Sequence, residues 1–536
     1  MTRIAYLNGK LYTMDAVRPQ AQAMAIERES GRLVAVGDNT EVRQAAGAQA
    51  ELVDLRGKTV LPGFIDAHIH LLATAYRAHD IDAAVCNNPE EVAQLVRERA
   101  ARTPVGEWIV GSHWDRHRWP GRAFPTREVL DAAAPAHPVA LWSKDGHLLW
   151  VNSQALARAG ITAETPDPPG GVILRDGSGQ PTGILQEGAA MELVARLIAP
   201  PSPALARQLL EETFAALLRS GITAIHDIED RSVYELLASL RTAGSLPLRV
   251  RMILQRHPLP ELRAGLLRAD EEDPLLRIGG IKIFADGTLG SQTAAMLESY
   301  EGSPENYGIL ATPAEEMRAL IREASELDLI IAIHAIGDRA ARVALDAIEL
   351  ADRHLAERGQ RARRRLRYRL EHVQLISAAD LERMRRLGVI ASVQPYHAVA
   401  DRDIAERYWG ERHRQAYAYR TIYELGIPLA LGSDAPVELF EPLRIIYAAV
   451  KRTDLESGRP SWLPEQALPL SAALYGYTLG AAYAGAEETD KGSLSVGKFG
   501  DAVVLPEDPF QIPPERLVSN GIQATIVGGL PVYGEV

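Results

Sequence analysis

The chain holds 536 residues with a formal net charge of −12, and 46% of them are hydrophobic and 24% charged. These are globular values in a chain long enough for one large domain with appendages, and the acidic balance speaks against a nucleic-acid partner, which wants a basic surface. The single cysteine, Cys86, excludes an intramolecular disulfide framework and a cysteine-built zinc site. The opening MTRIAYLNGKLYTM lacks a signal-peptide apolar core, and no apolar run reaches the roughly 18 residues of a membrane span. A cytoplasmic protein away from membranes is the expectation.

In chain order, residues 1–60 carry short apolar or alternating segments at 4–7, 23–26, 33–36 and 52–55. Asn8-Gly9, Gly31 and Gly37-Asp38 punctuate them, the pattern of a small antiparallel sheet. Residues 490–536 repeat the texture at 502–505 and 524–529. Neither piece can bury a core alone, so the ends are predicted to meet in one composite β-sandwich domain, 1–60 plus 490–536. Residues 61–489 instead alternate apolar runs (221–226, 280–284, 329–334, 370–373, 389–393, 428–434) with amphipathic stretches such as 313–327, 339–354 and 377–387. Strands alternating with helices imply an α/β fold with a parallel sheet, and this many repeats a closed (β/α)8 TIM barrel. The stretch at about 80–220 is too long for a plain βα unit and is predicted to be a subdomain inserted over the barrel mouth. A basic run from Arg361 to Arg369 reads as a solvated helix end or loop.

The first apolar run of this region is Pro62-Gly-Phe-Ile-Asp-Ala-His-Ile-His70. A strand repeats every two residues, so His68 and His70 share one side, with Asp66 below them. Two imidazoles converging at a strand end suit a divalent metal. Alone, the pair reads equally as polar residues leaving a strand. Further along, His334, His372 and Asp434 also fall on strand ends, where barrel chemistry sits, and together the five favour a metal site. Lys282, one of only seven lysines, lies between Ile281 and Ile283 in a predicted buried strand. A buried ammonium needs a partner or loses its proton. Pairing with Asp286 or another acid is one reading; the other is a neutral amine that adds carbon dioxide to give a carbamate bridging two cations.

The ordered set His68-x-His70, Lys282, His334, His372 and Asp434 resembles the amidohydrolase superfamily of metal-dependent hydrolases. The flanking segments narrow the resemblance to its YtcJ-like, or amidohydrolase-3, branch: Lys144-Asp-Gly-His147, Pro181-Thr-Gly-Ile-Leu-Gln-Glu187, Lys282-Ile-Phe-Ala-Asp-Gly-Thr288, Glu371-His372 and Gly432-Ser-Asp-Ala-Pro-Val437. The resemblance spans nearly the whole chain. It implies a hydrolase of non-peptide C–N bonds acting on a small amide, N-acyl or N-formyl compound, with a deaminase or a cyclic amide or ester hydrolase as the alternative. It implies one or two divalent ions, zinc foremost. His68, His70 and Asp434 would hold the more buried ion, His334 and His372 the second, and carbamylated Lys282 would bridge them. The ion lowers the pKa of its water from about 15.7 toward about 7, giving hydroxide, and Asp434 serves as general base and then general acid. Glu187 reads as a replacement metal ligand, as a partner of a ligand, or as a solvent-facing group. His147, Asp286 and Trp114 read as substrate contacts, and Trp114, Trp142, Tyr300 and Tyr396 hint at an apolar or aromatic substrate. Among the remaining histidines, His226 before Asp227 at a strand end has the strongest claim. A homodimer is the family-level expectation.

Overall fold

The computed structural model describes residues 2–77, 79–199, 201–255, 258–268, 273–359 and 365–536. His257 and the first part of the basic run, 361–364, lie outside the described residues. Eight parallel strands form the centre: Phe64–Ile69, Ile222–Glu229, Arg249–Leu254, Leu276–Phe284, Ile330–Ala335, Arg367–His372, Ile390–Val393 and Leu429–Leu431. They pair in that order around one sheet. The chain just past the eighth strand returns to the first: Asp434 N–H donates to His68 O at 2.7 Å, and His70 N–H donates to Ala435 O at 2.9 Å. This is the (β/α)8 barrel expected from the alternation. Helices form its wall, and Asp338–Glu357 shows why they pack: Ala341, Ala344, Leu345, Ile348, Ala351 and Leu355 recur every three or four residues and are buried. Strand contact is close at Gly280, where an added Cβ would lie 1.9 Å from Ile330 O.

Two further sheets flank the barrel. A four-stranded sheet (Arg32–Gly37, Ala23–Glu27, Arg3–Leu7, Glu51–Asp54) faces a six-stranded one that joins Thr59–Pro62 and Lys10–Tyr12 to Ala502–Leu505 and Ala524–Val527. Their shared core takes Tyr6, Met24, Ile26 and Val60 from one end of the chain and Val504 and Ile526 from the other. A separate six-stranded mixed sheet runs from Ile81–Asp82 to Pro181–Gln186 over the barrel mouth. Its core stacks Trp114 on Trp119, ring centres 5.8 Å apart, with Trp150 edge-on at 6.0 Å from Trp114. The inserted sheet stops short of residue 220. Helix Pro203–Arg219 packs Leu210, Phe214 and Leu217 with Leu71 and Ala75 and so belongs to the barrel wall.

The solvated reading of the basic run fails from Arg367 onward. Arg367–His372 is the sixth barrel strand, and Arg369 points inward, fully buried. The reason is a partner two residues on: Arg369 Nε donates to Glu371 Oε1 at 2.8 Å. No helix among the described residues is long and apolar enough to cross a membrane.

Candidate metal centre

Four of the barrel strands deliver a chemistry-bearing residue at or just past their C-terminal ends. His68 and His70 flank the end of the first strand, His334 and His372 end the fifth and sixth, and Asp434 follows the eighth. His372 and Asp434 sit at φ of 73° and 61°, a left-handed backbone that non-glycine residues seldom adopt. Hydrogen bonds hold Asp434 in it, from its own N–H to His68 O and from Val437 N–H to its carbonyl.

The imidazole tautomers are set by what lies behind the rings. His68 Nδ1–H donates to Glu371 Oε2 at 2.7 Å, and His70 Nδ1–H donates to Ile228 O at 2.8 Å. Both Nε2 atoms are then left with lone pairs, and both face Asp434 Oδ1, at 3.3 and 3.2 Å. Three electron-rich atoms converging on one point need a positive charge between them. Two ligands bonded at 2.0–2.1 Å in a tetrahedron lie about 3.3 Å apart, so the spacing fits a divalent cation. A second trio, His372, His397 and Asp434, also brings its ligand atoms within reach of one another. The buried His372 Nδ1 has no hydrogen-bond partner and is open to a further ligand interaction.

The electrostatics agree. Burial, reinforced by the Lys282 ammonium, pushes His68 down to about 4, and burial holds His334 and His372 well below the usual range, so these rings are neutral. At His70 burial also works against charge, but Asp434 overrides it and proton affinity rises. A cation would compete with that proton. Burial alone would raise Asp434, yet His68, His397 and His70 hold it well below the ordinary carboxylate range. Lys282 Nζ lies 3.4 Å from His68 Nε2 and 4.9 Å above the Phe284 ring, and burial brings its pKa down to about 8.

The other predicted residues separate into groups. His147 and Glu187 form a pair beside the centre: His147 Nδ1–H donates to Glu187 Oε2 at 2.8 Å, and the His147 ring lies 5.3 Å from that of His334. Burial opposes charge on His147, but Glu187 raises it to about 9. Neither belongs to the two ligand trios. Asp286 is fully buried and accepts from the backbone N–H groups of Ala295, Ile336 and Gly337. It shapes the loop under His334 and makes no contact with Lys282 among the described hydrogen bonds and ion pairs. Trp114 lines the cavity from the insert's core, with its indole N–H on Leu141 O. Trp142, Tyr300 and Tyr396 do not line the cavity; its apolar wall is Leu148, Phe284, Leu289, Ile336, Ile404 and Val437. The cavity is about 210 Å³, enough for a small molecule.

Three residues carry more weight here than their sequence context suggested. Glu371 sets the His68 tautomer, and Arg369 neutralises Glu371. Arg369 also donates to His226 Nδ1 at 3.0 Å, which places His226 in the barrel interior below the centre. His397 Nε2–H donates to Asp434 Oδ2 at 3.1 Å. Its signal was available: Gln394-Pro-Tyr-His397 directly follows an apolar run, the same context that marked His334 and Asp434.

The fold and site define a metal-dependent (β/α)8 hydrolase with an inserted cap. The chain matches the amidohydrolase family model over residues 51–533. It is 31% identical to the Bacillus subtilis protein YtcJ, whose name assigns it to the amidohydrolases, across 98% of each chain. It is also 31% identical to an N-substituted formamide deformylase of Arthrobacter pascens, covering 99% of this chain and 98% of that one. A solved metal-dependent hydrolase of Pyrococcus furiosus, itself uncharacterised, superposes with a TM-score of 0.73 at 30% identity, covering 95% of this chain and 100% of that one. The chain belongs to the amidohydrolase family, in its YtcJ-like branch, and is a hydrolase acting on carbon–nitrogen bonds.

Proposed function

We propose that this enzyme hydrolyses a small non-peptide amide, N-acyl or N-formyl compound, with Asp434 as proton carrier. The observation that carries the reading is the convergence of His68 Nε2, His70 Nε2 and Asp434 Oδ1 on one point at the cavity floor. His68, His70 and Asp434 would hold the principal ion, and two imidazoles with one carboxylate suit zinc. His334 and His372 would hold a second ion, with Lys282 between the two sites. A bound divalent ion supplies Lewis acidity and a water acidified toward neutral pH.

The chain's own residues do the rest. Asp434 takes the proton of the attacking water and returns it to the leaving nitrogen, base first and acid second. His147, kept charged by Glu187, would donate Nε2–H to the substrate carbonyl as negative charge builds on its oxygen. Lys282, with its pKa lowered to about 8, is neutral for roughly a tenth of the time at pH 7, and the neutral amine is the form that adds carbon dioxide and releases a proton to become a carbamate. The inserted sheet covers the mouth and limits water. The formamide deformylase relative supports the N-formyl end of the substrate range.

The test is a panel of N-formyl amines, N-acyl amino acids and lactams offered to the purified zinc-loaded protein. Turnover of at least one class is expected, with Asp434→Asn losing about a thousandfold in kcat. No turnover on the panel, or an Asp434→Asn variant as active as wild type, would overturn the reading.

A further inference from the structure

We infer that His397 is a positioning residue that clamps the outer oxygen of Asp434, leaving only the inner oxygen for the cation and the water proton. This rests on the reading of Asp434 given above. The two oxygens of Asp434 are committed to different partners. Oδ1 faces His68 and His70 at tetrahedral-edge distances, whereas Oδ2 lies 3.1 Å from His397 Nε2 and 3.9 Å from His372 Nδ1. The first of these two is hydrogen-bond length. The second is longer than the edge of a tetrahedral site, so the trio on Oδ2 fits a clamp better than a second ligand set.

His397 is itself fixed from behind. It is the third residue of a short helix, Pro395–Ala400, just past the seventh strand, where Asp401 N–H donates to its carbonyl at 2.8 Å. Its Nδ1 lies 4.0 Å from Glu438, and Glu438 Oε1 is held at 2.7 Å by Lys144, in the loop between strands Val139–Ser143 and Leu148–Val151 of the inserted sheet. The ring therefore stands between two carboxylates, a setting that favours N–H on the edge facing Asp434. A carboxylate free to rotate could take the cation through both oxygens and leave none oriented toward the water. A misplacement of about 1 Å in such a group costs on the order of a hundredfold in rate.

The experiment compares wild type, His397→Leu, His397→Gln and His70→Ala, each as the full chain, for bound zinc, kcat and KM. His397→Leu is expected to keep its zinc, lose about a hundredfold in kcat and leave KM within about threefold. His397→Gln, which still presents an N–H at similar reach, is expected to recover at least tenfold of the loss. Zinc loss in His397→Leu as complete as in His70→Ala would make His397 a ligand and overturn the proposal, as would an unchanged kcat. The visible spectrum of the cobalt-substituted proteins separates this question from that of the substrate. A changed spectrum in His397→Leu, restored in His397→Gln, supports the clamp even if the wild type hydrolyses nothing on the panel. Identical spectra in all three overturn it.

Discussion

Glu371→Gln is the sharpest perturbation of the barrel interior. Glu371 and Arg369 are both fully buried, 2.8 Å apart, and Glu371 also accepts the Nδ1–H of His68. Glutamine keeps the shape but removes the charge, so the Arg369 guanidinium stays buried with only neutral acceptors, the Ala67 carbonyl, the Ser392 hydroxyl and the His226 ring. Breaking a buried pair this way costs about 3–5 kcal/mol. The same change weakens the carboxylate behind His68, which for metal-bound histidines costs about 10–100-fold in affinity. Pulse proteolysis of the metal-free protein reads the first effect, and competition with a chromophoric chelator reads the second. The double variant Arg369→Met/Glu371→Met separates them. Replacing the pair by apolar side chains of similar size is often neutral for stability, so stability is expected to return while metal affinity stays low. A Glu371→Gln protein within about 1 kcal/mol of wild type and with unchanged metal affinity would refute the reasoning.

Three other outcomes follow from the same structure. Gly280→Ala drives a Cβ to 1.9 Å from Ile330 O between two barrel strands, and insoluble or strongly destabilised protein is expected; wild-type thermal stability would contradict the close approach. His226 is buried and pushed from 6.5 down to about 4, first by burial, so the fold holds it neutral. Its contribution is complete above about pH 6.5 and is lost as pH falls toward 4, by roughly 3 kcal/mol. His226→Asn should therefore narrow its stability gap to wild type over that interval, as read by proteolysis at each pH; a gap that does not change with pH would count against it. Glu187→Gln removes the charge that raises His147 to about 9, so the alkaline limb of kcat/KM should move to lower pH; an unmoved limb would show that His147 acts uncharged or not at all.

Much of the architecture was legible because periodicity reports burial. Strand-length apolar runs alternating with amphipathic helices gave the barrel, and turn-punctuated ends gave the flanking sheets. The candidate ligands could be picked out for a related reason: a histidine or carboxylate closing an apolar run in a barrel must emerge at the C-terminal face, and there His68, His70 and Asp434 come together. What escaped was anything decided by which way the fold turns a side chain or by a partner remote in sequence. Arg369 looks like part of a solvated basic run until Glu371 and the barrel interior claim it. His397 looks like one histidine among several until the seventh and eighth loops bring it to Asp434. Glu187 admits three readings in sequence, and only the fold puts its carboxylate on His147. Of the four aromatics that suggested an aromatic pocket, Trp114 lines the cavity, beside Phe284 and aliphatic side chains, whereas Trp142, Tyr300 and Tyr396 are not among its lining residues.

The proposed chemistry requires that His68, His70 and Asp434 together hold a divalent ion. Its most direct test is the metal-to-protein ratio of purified wild type, His70→Ala and Asp434→Asn after equilibration with zinc and removal of free metal. At least one tightly held ion in the wild type, lost from both variants while each keeps wild-type secondary structure by circular dichroism, is the expected result. A wild type that retains no ion, or variants that retain as much as the wild type, would contradict it.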